Sequence, residues 1–419
     1  MRQDTGRTIS TRWAGLSALL AALTIAGGVE ARRQTTAAPQ APASAESAAL
    51  EKLRGTSMLD WRGQEQRVGY AGVHKLAPHN VIRRGPQASP LPESTRDFST
   101  LTYSVKGSSY GLDHFMTRLN VVGLLVITDG RIVLERYAQG HSADTPWSSW
   151  SVAKSVTSML FGAAMQDGHI KSLDDEVSKY VPALAGTSYA GVTLRHLLTM
   201  SSGVTWNADL TSPASDLMQL PRLNREGFTA QLAYMGKLPR KGPAGTIFNY
   251  NTAEADVSAA VLRAATGRTL SDYLSEKIWR PFGMQGDGYW LTMGTTDIER
   301  GGCCLSATLR DYGRIGLAAL ADGVAPDGKR MLPAGWMAEA TKSSAASRGY
   351  GYYWWLRRNG RYFGSGSFGQ HIEVAPAERT VVAIQSYWPA AFNDELIAHN
   401  DTAVDALINF AKPAADPRR

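Results

Sequence analysis

The pattern of apolar and polar positions places strand-like stretches near both ends of the main body of the chain and helical stretches between them. Apolar runs at 122–127 and 132–137 flank the turn residues Asp129-Gly130 and predict a β-hairpin. From Val152 onward, apolar residues recur at helical spacing, which predicts a helix that ends near Gly168. Further helices are predicted at 193–199, 252–265, 270–279, 306–321, 334–341 and 394–411, and further strands at 351–356, 361–363, 370–374 and 380–386.

This order of elements predicts an α+β fold, in which an antiparallel sheet is formed from both chain ends and a helical lobe is inserted between them. Two stretches lack clear periodicity. Residues 58–92 are expected to wrap around the main body as an N-terminal arm. Residues 204–240, which contain three prolines, are expected to be rich in loops.

The first 31 residues have the composition of a signal peptide. Three arginines form a basic start, an apolar run follows at 13–28, and Val29-Glu30-Ala31 offers a cleavage site. The apolar run is too short to span a bilayer and no cysteine follows it, so we predict export to the periplasm or the medium, without a stable membrane anchor after cleavage. The rest of the chain is divided into a flexible linker at 32–56, one domain at 57–412 and a disordered tail at 413–419.

Charge and metal-ligand content narrow the classes of function. The formal net charge of +7 is spread along the chain without dense Lys/Arg blocks, which favours a soluble protein over a nucleic-acid-binding one. The eight histidines are scattered and no Cys/His group has metal-ligand spacing, so no metal or organic cofactor is predicted. Cys303 and Cys304 are adjacent. Because a disulfide between neighbours closes a strained ring, we predict two thiols, with a local disulfide as the alternative.

The first candidate for chemistry is Ser151-Val-Ala-Lys154, at the start of the helix predicted from Val152. Ser148 and Ser149 are good N-cap residues, so this helix is expected to begin just before Ser151. Residues three apart share a helix face, which places the Ser151 hydroxyl beside the Lys154 amine. A desolvated lysine can take the serine proton and produce a nucleophile. Since Ser-x-x-Lys occurs by chance about once in a chain of this length, the motif alone is weak evidence.

Tyr250 stands just before another predicted helix, in the stretch Pro243-Ala-Gly-Thr-Ile-Phe-Asn-Tyr250. The next residues, Asn251 and Glu254, have the spacing of a capping box. A tyrosine whose hydroxyl lies near a lysine can have a lowered pKa and can take or return a proton, so Tyr250 is a candidate acid or base. The alternative is a half-buried aromatic residue that packs against neighbouring helices.

A glycine-rich stretch, Phe363-Gly-Ser-Gly-Ser-Phe-Gly-Gln370, lies beside a predicted strand. Glycine in a strand marks close approach by a ligand or by other backbone. The N–H groups of Ser367 and Ser151 could form an oxyanion hole there, and the alternative is a glycine-rich hairpin without a ligand. A competing nucleophile is Ser109, in the G-x-S-x-G pattern at 107–111. That pattern requires alternating β and α units, which the predicted elements lack.

Together these stretches resemble the penicillin-recognising serine hydrolases: class C β-lactamases, D-Ala-D-Ala carboxypeptidases and their esterase and amidase relatives. The likeness extends over roughly residues 60–412 and is most evident with 6-aminohexanoate-dimer hydrolases and similar exported members. Its marks, in chain order, are Ser-Trp-Ser151-Val-Ala-Lys154-Ser, Leu197-Leu-Thr-Met-Ser-Ser-Gly203, Pro-Ala-Gly-Thr-Ile-Phe-Asn-Tyr250, Arg310-Asp-Tyr-Gly-Arg-Ile-Gly316 and Gly-Ser-Gly-Ser-Phe-Gly369-Gln370.

The resemblance implies a β-lactamase/transpeptidase-like fold with Ser151 as the acylated nucleophile. Lys154 and Tyr250 would share the general base and acid roles, and the N–H groups of Ser151 and Ser367 would form the oxyanion hole. Specificity is expected to depend on loops at 204–240 and 285–300. The residues expected to contact substrate are Trp150, Asn251, Thr252, Gly366, Gly369 and Gln370.

Two departures from the family pattern bear on the substrate. The Tyr-x-Asn element reads Tyr250-Asn251-Thr252, and the Lys-Thr-Gly strand reads Gly364-Ser365-Gly366, so the cation that meets a β-lactam or peptide carboxylate is missing. We therefore predict an exported serine hydrolase that cleaves a small-molecule ester or amide through an acyl-enzyme, with no nucleic-acid partner. The alternatives are a D-Ala-D-Ala carboxypeptidase or weak β-lactamase, and a non-catalytic binding protein that retains the fold.

Overall fold

An antiparallel sheet assembled from both ends of the chain carries the other elements in the computed structural model, which describes residues 45–412. The predicted signal peptide and the predicted tail at 413–419 lie outside the described residues. The strands are β1 (His79–Ile82), β2 (Thr102–Val105), β3 (Ser108–Gly111), β4 (Val121–Thr128), β5 (Arg131–Tyr137), β6 (Trp147–Ser148), β7 (Gly288–Leu291), β8 (Leu305–Ala307), β9 (Trp355–Leu356), β10 (Tyr362–Gly366), β11 (Gln370–Ala375) and β12 (Thr380–Ser386).

The helices are numbered in the same way, and short 3₁₀ or π-helical turns occur between them. The turns are Val177–Lys179, Pro182–Leu184, Ser275–Trp279 and Ser367–Gly369. The helices are α1 (Ala45–Glu51), α2 (Gln64–Leu76), α3 (Leu112–Arg118), α4 (Val152–Gln166), α5 (Leu194–Leu198), α6 (Asp216–Glu226), α7 (Phe228–Met235), α8 (Thr252–Thr266), α9 (Leu270–Leu274), α10 (Leu309–Leu320), α11 (Trp336–Ala340) and α12 (Asp394–Ala411).

The main sheet has the strand order β5-β4-β12-β11-β10-β9, and every neighbouring pair is antiparallel. β4 and β5 precede the helical lobe in sequence and β9 to β12 follow it, so the predicted α+β fold with a sheet from both chain ends is confirmed. Every residue of β4 and β12 is buried, because helices cover both faces of the sheet.

Side chains of the central strand β12 alternate between two cores, as the pleat of a strand requires. Val381 and Ala383 belong to the core that includes α4 and α10, whereas Val382 and Ile384 belong to the core that includes α12. Helix α10 approaches the sheet closely at Gly316, where a Cβ atom would lie 2.4 Å from Cγ1 of Val381. This packing fixes the helices on the two faces of the sheet.

The glycine-rich strand β10 holds the first turn of α4 against the sheet. A Cβ atom at Gly364 would lie 2.9 Å from Oγ of Ser155, so glycine leaves the room that α4 occupies. The hydroxyl of Ser155 also donates a 2.8 Å hydrogen bond to the carbonyl of Tyr353, which lies just before β9. Ser151, at the start of α4, therefore lies beside this edge of the sheet.

The region 204–240 is more helical than predicted, since it contains α6 and α7. Pro221 lies inside α6, a position that normally breaks a helix because proline has no N–H to donate. Here Ser215 caps the helix by accepting from the N–H of Met218, and Leu220 and Leu223 are buried. Tertiary burial therefore outweighs the local cost of proline.

The predicted flexible linker at 32–56 is wrong for its second half, because α1 lies within it. Leu50 is buried against α2, where a Cβ atom at Gly72 would lie 2.6 Å from Cδ2 of Leu50. Glycines in α2 allow a contact that the alanine-rich composition of the linker did not suggest. No helix within residues 45–412 is long and apolar enough to cross a membrane.

Candidate active site

Ser151 occupies the N-cap position of α4, directly after a strained residue. Trp150 has a positive φ of 46°, a backbone conformation that residues other than glycine rarely adopt. Ser149 was predicted to cap α4, but it does not, because the N-cap residue is Ser151. Its hydroxyl accepts a hydrogen bond from the N–H of Leu305 and donates one to the carbonyl of Trp150. These contacts fix the turn that presents Ser151.

Lys154 is buried and its amine contacts three oxygen atoms. Nζ lies 3.0 Å from Oγ of Ser151 and 3.2 Å from Oγ1 of Thr252, and it donates a 2.7 Å hydrogen bond to the carbonyl of Gly302. The predicted juxtaposition of Ser151 and Lys154 on one helix face is therefore present. Because the lysine is held from three sides, its lone pair can be aimed at the serine hydroxyl when the amine is neutral.

The environment of Lys154 favours that neutral amine. Burial lowers the pKa of Lys154 to about 7; the negative charge of Asp256 opposes this shift, and the positive charge of Arg300 adds to it. Asp256 is itself fully buried and accepts hydrogen bonds of 3.0 Å from Nε2 of Gln231 and from the N–H of Gly302. A lysine with a pKa near neutrality can act as a general base at physiological pH.

Tyr250 lies beside the serine and the lysine but does not have the lowered pKa that the sequence predicted. Burial raises the pKa of Tyr250 to about 12, and a hydrogen bond with Ser151 offsets only part of this shift. Its ring stacks on Trp355 with centroids 5.7 Å apart, and Nζ of Lys154 lies 5.0 Å from the ring centroid. At neutral pH Tyr250 is therefore protonated, which suits a proton donor better than a base.

Ser367 lies on the turn after β10 and lines the same pocket as Ser151. Gly366 lets this turn come close, because a Cβ atom there would lie 2.4 Å from the carbonyl oxygen of Ser149. The N–H groups of Ser367 and Ser151 are thus presented by two backbone segments in contact. Such an arrangement can stabilise an oxyanion.

Four of the predicted substrate contacts are structural instead. Gly366 contacts backbone, and a Cβ atom at Gly369 would lie 2.1 Å from Nε1 of Trp388. Gln370 is buried: it accepts from Nε1 of Trp147 and donates to the carbonyl of Ser386. Asn251 is also buried, and its Oδ1 caps α8 by accepting from the N–H groups at positions 253 and 254. The Asn251 half of the predicted capping box is present, but Glu254 accepts from Ser202 and Tyr189 instead of from the N–H of Asn251. Tight packing rather than ligand contact accounts for these four residues.

The other two predicted contacts, Trp150 and Thr252, line a cavity of about 450 Å³ in front of Ser151. This volume is within the range of small-molecule sites. Both predicted specificity loops contribute to its wall, through side chains such as Trp206 and Asn224 from the first and Thr292 and Arg300 from the second.

A third wall of the cavity comes from the N-terminal arm, which no pattern in the sequence had predicted. The lining includes Met58, Leu59 and Trp61 from the arm, and Leu53 from the end of the predicted linker. Apolar residues such as Met58 and Leu59 indicated that this segment packs against the main body. Without periodicity, they did not indicate which part of the fold it contacts. Within the described residues, no group of three or more His, Cys, Asp or Glu side chains is placed to hold a metal ion.

The predicted thiols of Cys303 and Cys304 are joined in a disulfide instead, with Cα atoms 3.7 Å apart. Both residues are buried and both line the cavity. The surrounding backbone holds the two side chains together, because the N–H of Cys303 bonds to the carbonyl of Arg300 and that of Cys304 to the carbonyl of Trp150. The ring strain that motivated the thiol prediction does not prevent the bond in this setting.

Ser109 was predicted not to be a nucleophile, and the structure agrees that it does not lie on a nucleophile elbow. It lies within β3, opposite Ser104 of β2, and is exposed on a two-stranded hairpin. A nucleophile elbow places serine on a sharp turn between strand and helix, above a sheet of alternating β and α units.

A serine at the start of a buried helix, paired with a lysine one turn later and with a tyrosine that lies just before a second helix, beside an antiparallel sheet, defines a serine hydrolase of the β-lactamase and penicillin-binding-protein type. Residues 112–401 match the β-lactamase family model. The chain belongs to the β-lactamase family.

Similar proteins agree with this assignment. The chain is 28% identical over 358 residues to a 6-aminohexanoate-dimer hydrolase from Paenarthrobacter ureafaciens, covering 80% of this chain and 89% of that protein. A Bacillus anthracis structure described as a candidate 6-aminohexanoate-dimer hydrolase has a TM-score of 0.77 at 22% identity, over 86% of this chain and 97% of that one. A penicillin-binding protein from Bacillus halodurans has a TM-score of 0.57 at 18% identity, over 71% and 99%. These two structures establish the shared fold.

Proposed function

We propose that this protein is an exported hydrolase that cleaves a small carboxylic ester or amide through an acyl-enzyme on Ser151. The observation that carries the proposal is the 3.0 Å contact between Nζ of Lys154 and Oγ of Ser151, with the pKa of Lys154 lowered to about 7. A neutral amine at this distance is placed to take the serine proton. Export is supported by the composition of residues 1–31, and the expected location is the periplasm or the medium.

In the proposed reaction, Lys154 takes the proton of Ser151 while Oγ bonds to the substrate carbonyl carbon. The carbonyl electron pair moves to oxygen, and the N–H groups of Ser151 and Ser367 stabilise that oxyanion. Collapse of the intermediate breaks the bond to the leaving group, which takes a proton from Tyr250, and Tyr250 recovers a proton from Lys154. Water then attacks the acyl carbon and gives up its proton to the same groups, which frees the acid and restores Ser151.

The amide half of the proposal is supported by the 6-aminohexanoate-dimer hydrolase to which the chain is 28% identical, since a hydrolase of a 6-aminohexanoate dimer cleaves a link between two amino acid units. The ester half follows from chemistry, because an acyl-enzyme site that opens an amide also opens a more reactive ester. The β-lactamase alternative lacks support at Gly364-Ser365-Gly366, where the family's lysine is replaced.

The test compares the full chain with Ser151→Ala on p-nitrophenyl acetate, p-nitrophenyl butyrate and the matching anilides. We expect turnover by the parent protein, and a loss of about 10⁴- to 10⁶-fold in kcat for the variant. Intact-mass analysis after rapid quenching is expected to show an acyl adduct that Ser151→Ala does not form. Turnover that survives in Ser151→Ala would reject Ser151, and acylation by a labelled penicillin with fast turnover would instead support the β-lactamase alternative.

A further inference from the structure

A short segment that leads into β8 contacts both the base and the turn that presents the nucleophile. The carbonyl oxygen of Gly302 accepts the 2.7 Å hydrogen bond from Nζ of Lys154. At the other end of the segment, the N–H of Leu305 donates to Oγ of Ser149 at 3.1 Å, and the carbonyl of Leu305 accepts from the N–H of Ser149 at 2.7 Å. The position of Ser151 relative to its base therefore depends on the conformation of this segment.

Two residues with a positive φ meet inside the same region. Cys304 has a φ of 74° and Trp150 has a φ of 46°. The N–H of Cys304 donates to the carbonyl of Trp150 at 3.4 Å. Residues other than glycine persist in this conformation only where the surrounding structure holds them there. The turn at Trp150, which precedes Ser151, therefore relies on the conformation of Cys304.

The disulfide between Cys303 and Cys304 closes a covalent ring within this segment. It joins the residue that follows Gly302 to the residue that contacts Trp150. Strand β7 holds the ring from outside, because the carbonyl of Cys303 accepts from Nε1 of Trp290 at 3.2 Å. A cross-link restricts the backbone conformations that its residues can reach. The closed ring thus supports both contacts at once, the one to the base and the one to the turn.

We propose that the Cys303–Cys304 disulfide is a positioning element for hydrolysis, and that a dithiol reductant lowers kcat by opening it. This inference rests on the proposed function. In the reduction, one thiolate of the dithiol attacks a cysteine sulfur and breaks the S–S bond, and the second thiol then resolves the mixed disulfide. Two electrons and two protons pass to the cysteines, and the reductant leaves as a cyclic disulfide. Activity then depends on the redox state, although neither cysteine supplies a group to the reaction.

Counting thiols establishes the redox state of the protein. The whole chain has two cysteines, so alkylation by iodoacetamide in urea, read by intact mass, reports on this pair alone. Protein treated with oxidised glutathione is expected to take up no adduct, and protein reduced by dithiothreitol is expected to take up two. Because both cysteines are buried, the reduction is carried out in urea, which is then removed with the reductant present. Two adducts after treatment with oxidised glutathione would overturn the inference.

Kinetics on p-nitrophenyl acetate compare the oxidised and reduced forms of the same chain, at a temperature below both thermal midpoints. We expect reduction to lower kcat about 10- to 100-fold and to change KM less than about threefold, because the base and the nucleophile move while the cavity keeps its side chains. Treatment with oxidised glutathione is expected to restore kcat. Equal kcat in the two forms, or a change confined to KM, would overturn the inference.

A double variant, Cys303→Ser with Cys304→Ser, is the matched control for the reduced form. It is expected to have the lowered kcat of the reduced protein and to be insensitive to dithiothreitol, which excludes an effect of the reductant on any other group. A double variant with the kcat of the oxidised parent would overturn the inference. If this variant does not fold, the comparison of the two redox forms still decides the question.

Amide hydrogen exchange separates this inference from the proposed function, because it requires no catalysis. Reduction is expected to accelerate exchange about tenfold or more in peptides that cover residues 147–154 and 302–305, and to leave a peptide from β4 unchanged. Such acceleration in a protein that hydrolyses no ester or amide would retain the disulfide as the support of the site and reject the hydrolase. Hydrolysis whose kcat is the same in both redox forms, with no change in exchange, would do the reverse.

Discussion

Nζ of Lys154 donates a 2.7 Å hydrogen bond to the carbonyl oxygen of Gly302, a residue 148 positions later in the chain. This bond ties the base of the site to the segment between β7 and β8, while the helix that carries Lys154 is tied to the main sheet. The relative position of Ser151 and its base therefore depends on two parts of the fold. A small shift of the Gly302 backbone moves the lysine away from the serine.

Gly302→Ala tests this dependence. A Cβ atom at position 302 would lie 2.6 Å from the carbonyl oxygen of Thr252, so the backbone of one segment must move. We expect kcat to fall about 100-fold, as a displacement near 1 Å commonly causes, with a smaller change in KM. The control is Gly349→Ala, where a Cβ atom meets nothing within 4 Å. Equal, near-parent activity in both variants would contradict the role given to Gly302.

The pH dependence of kcat/KM for a neutral ester is expected to follow Lys154. The reactive form is the neutral amine, and burial lowers the pKa of Lys154 to about 7, so activity falls as the pH drops below about 7 and reaches a plateau above it. Tyr250 stays protonated over this range because its pKa is raised to about 12. A profile measured from pH 5 to 9 that lacks a midpoint near 7 would argue against Lys154 as the base.

Two charge-removing variants are expected to move that midpoint in opposite directions. Asp256→Asn removes the negative charge that raises the pKa of Lys154, so the midpoint moves to lower pH, while the amide oxygen can still accept from Gly302. Arg300→Met removes the positive charge that lowers this pKa, so the midpoint moves to higher pH. Shifts of the same sign in both variants would show that the electrostatic assignment is wrong.

Local sequence signals predicted much of the fold and the core of the site. The hairpin β4–β5, the start of α4 and the final helix α12 were predicted because periodicity and turn residues act over a few positions. The Ser151–Lys154 pair belongs to this class, since one helical turn is enough to bring the two side chains together. Gly366 was interpreted correctly as a point of close approach, by the backbone of Ser149 rather than by substrate.

What the sequence did not predict depends on burial and on contacts between distant segments. The raised pKa of Tyr250 comes from desolvation. Helix α6 is stable despite Pro221 because Leu220 and Leu223 are buried. Arg300 was missed because a single arginine before two glycines has no local signature, and only the cavity shows that it faces the site of Ser151. The same is true of α1, whose packing against Gly72 no pattern in residues 32–56 reveals.

The N-terminal arm gives the last prediction, because it lines the cavity from outside the residues 112–401 that match the family model. Met58 is half-buried in that wall. Met58→Ala removes apolar contact with bound substrate, so kcat/KM for p-nitrophenyl hexanoate is expected to fall about tenfold relative to acetate, with little change for acetate itself. Met165→Ala, a half-buried methionine of α4 that packs on the core, controls for lost stability. If the two variants keep the same chain-length preference as the parent protein, the arm covers the cavity without selecting its contents.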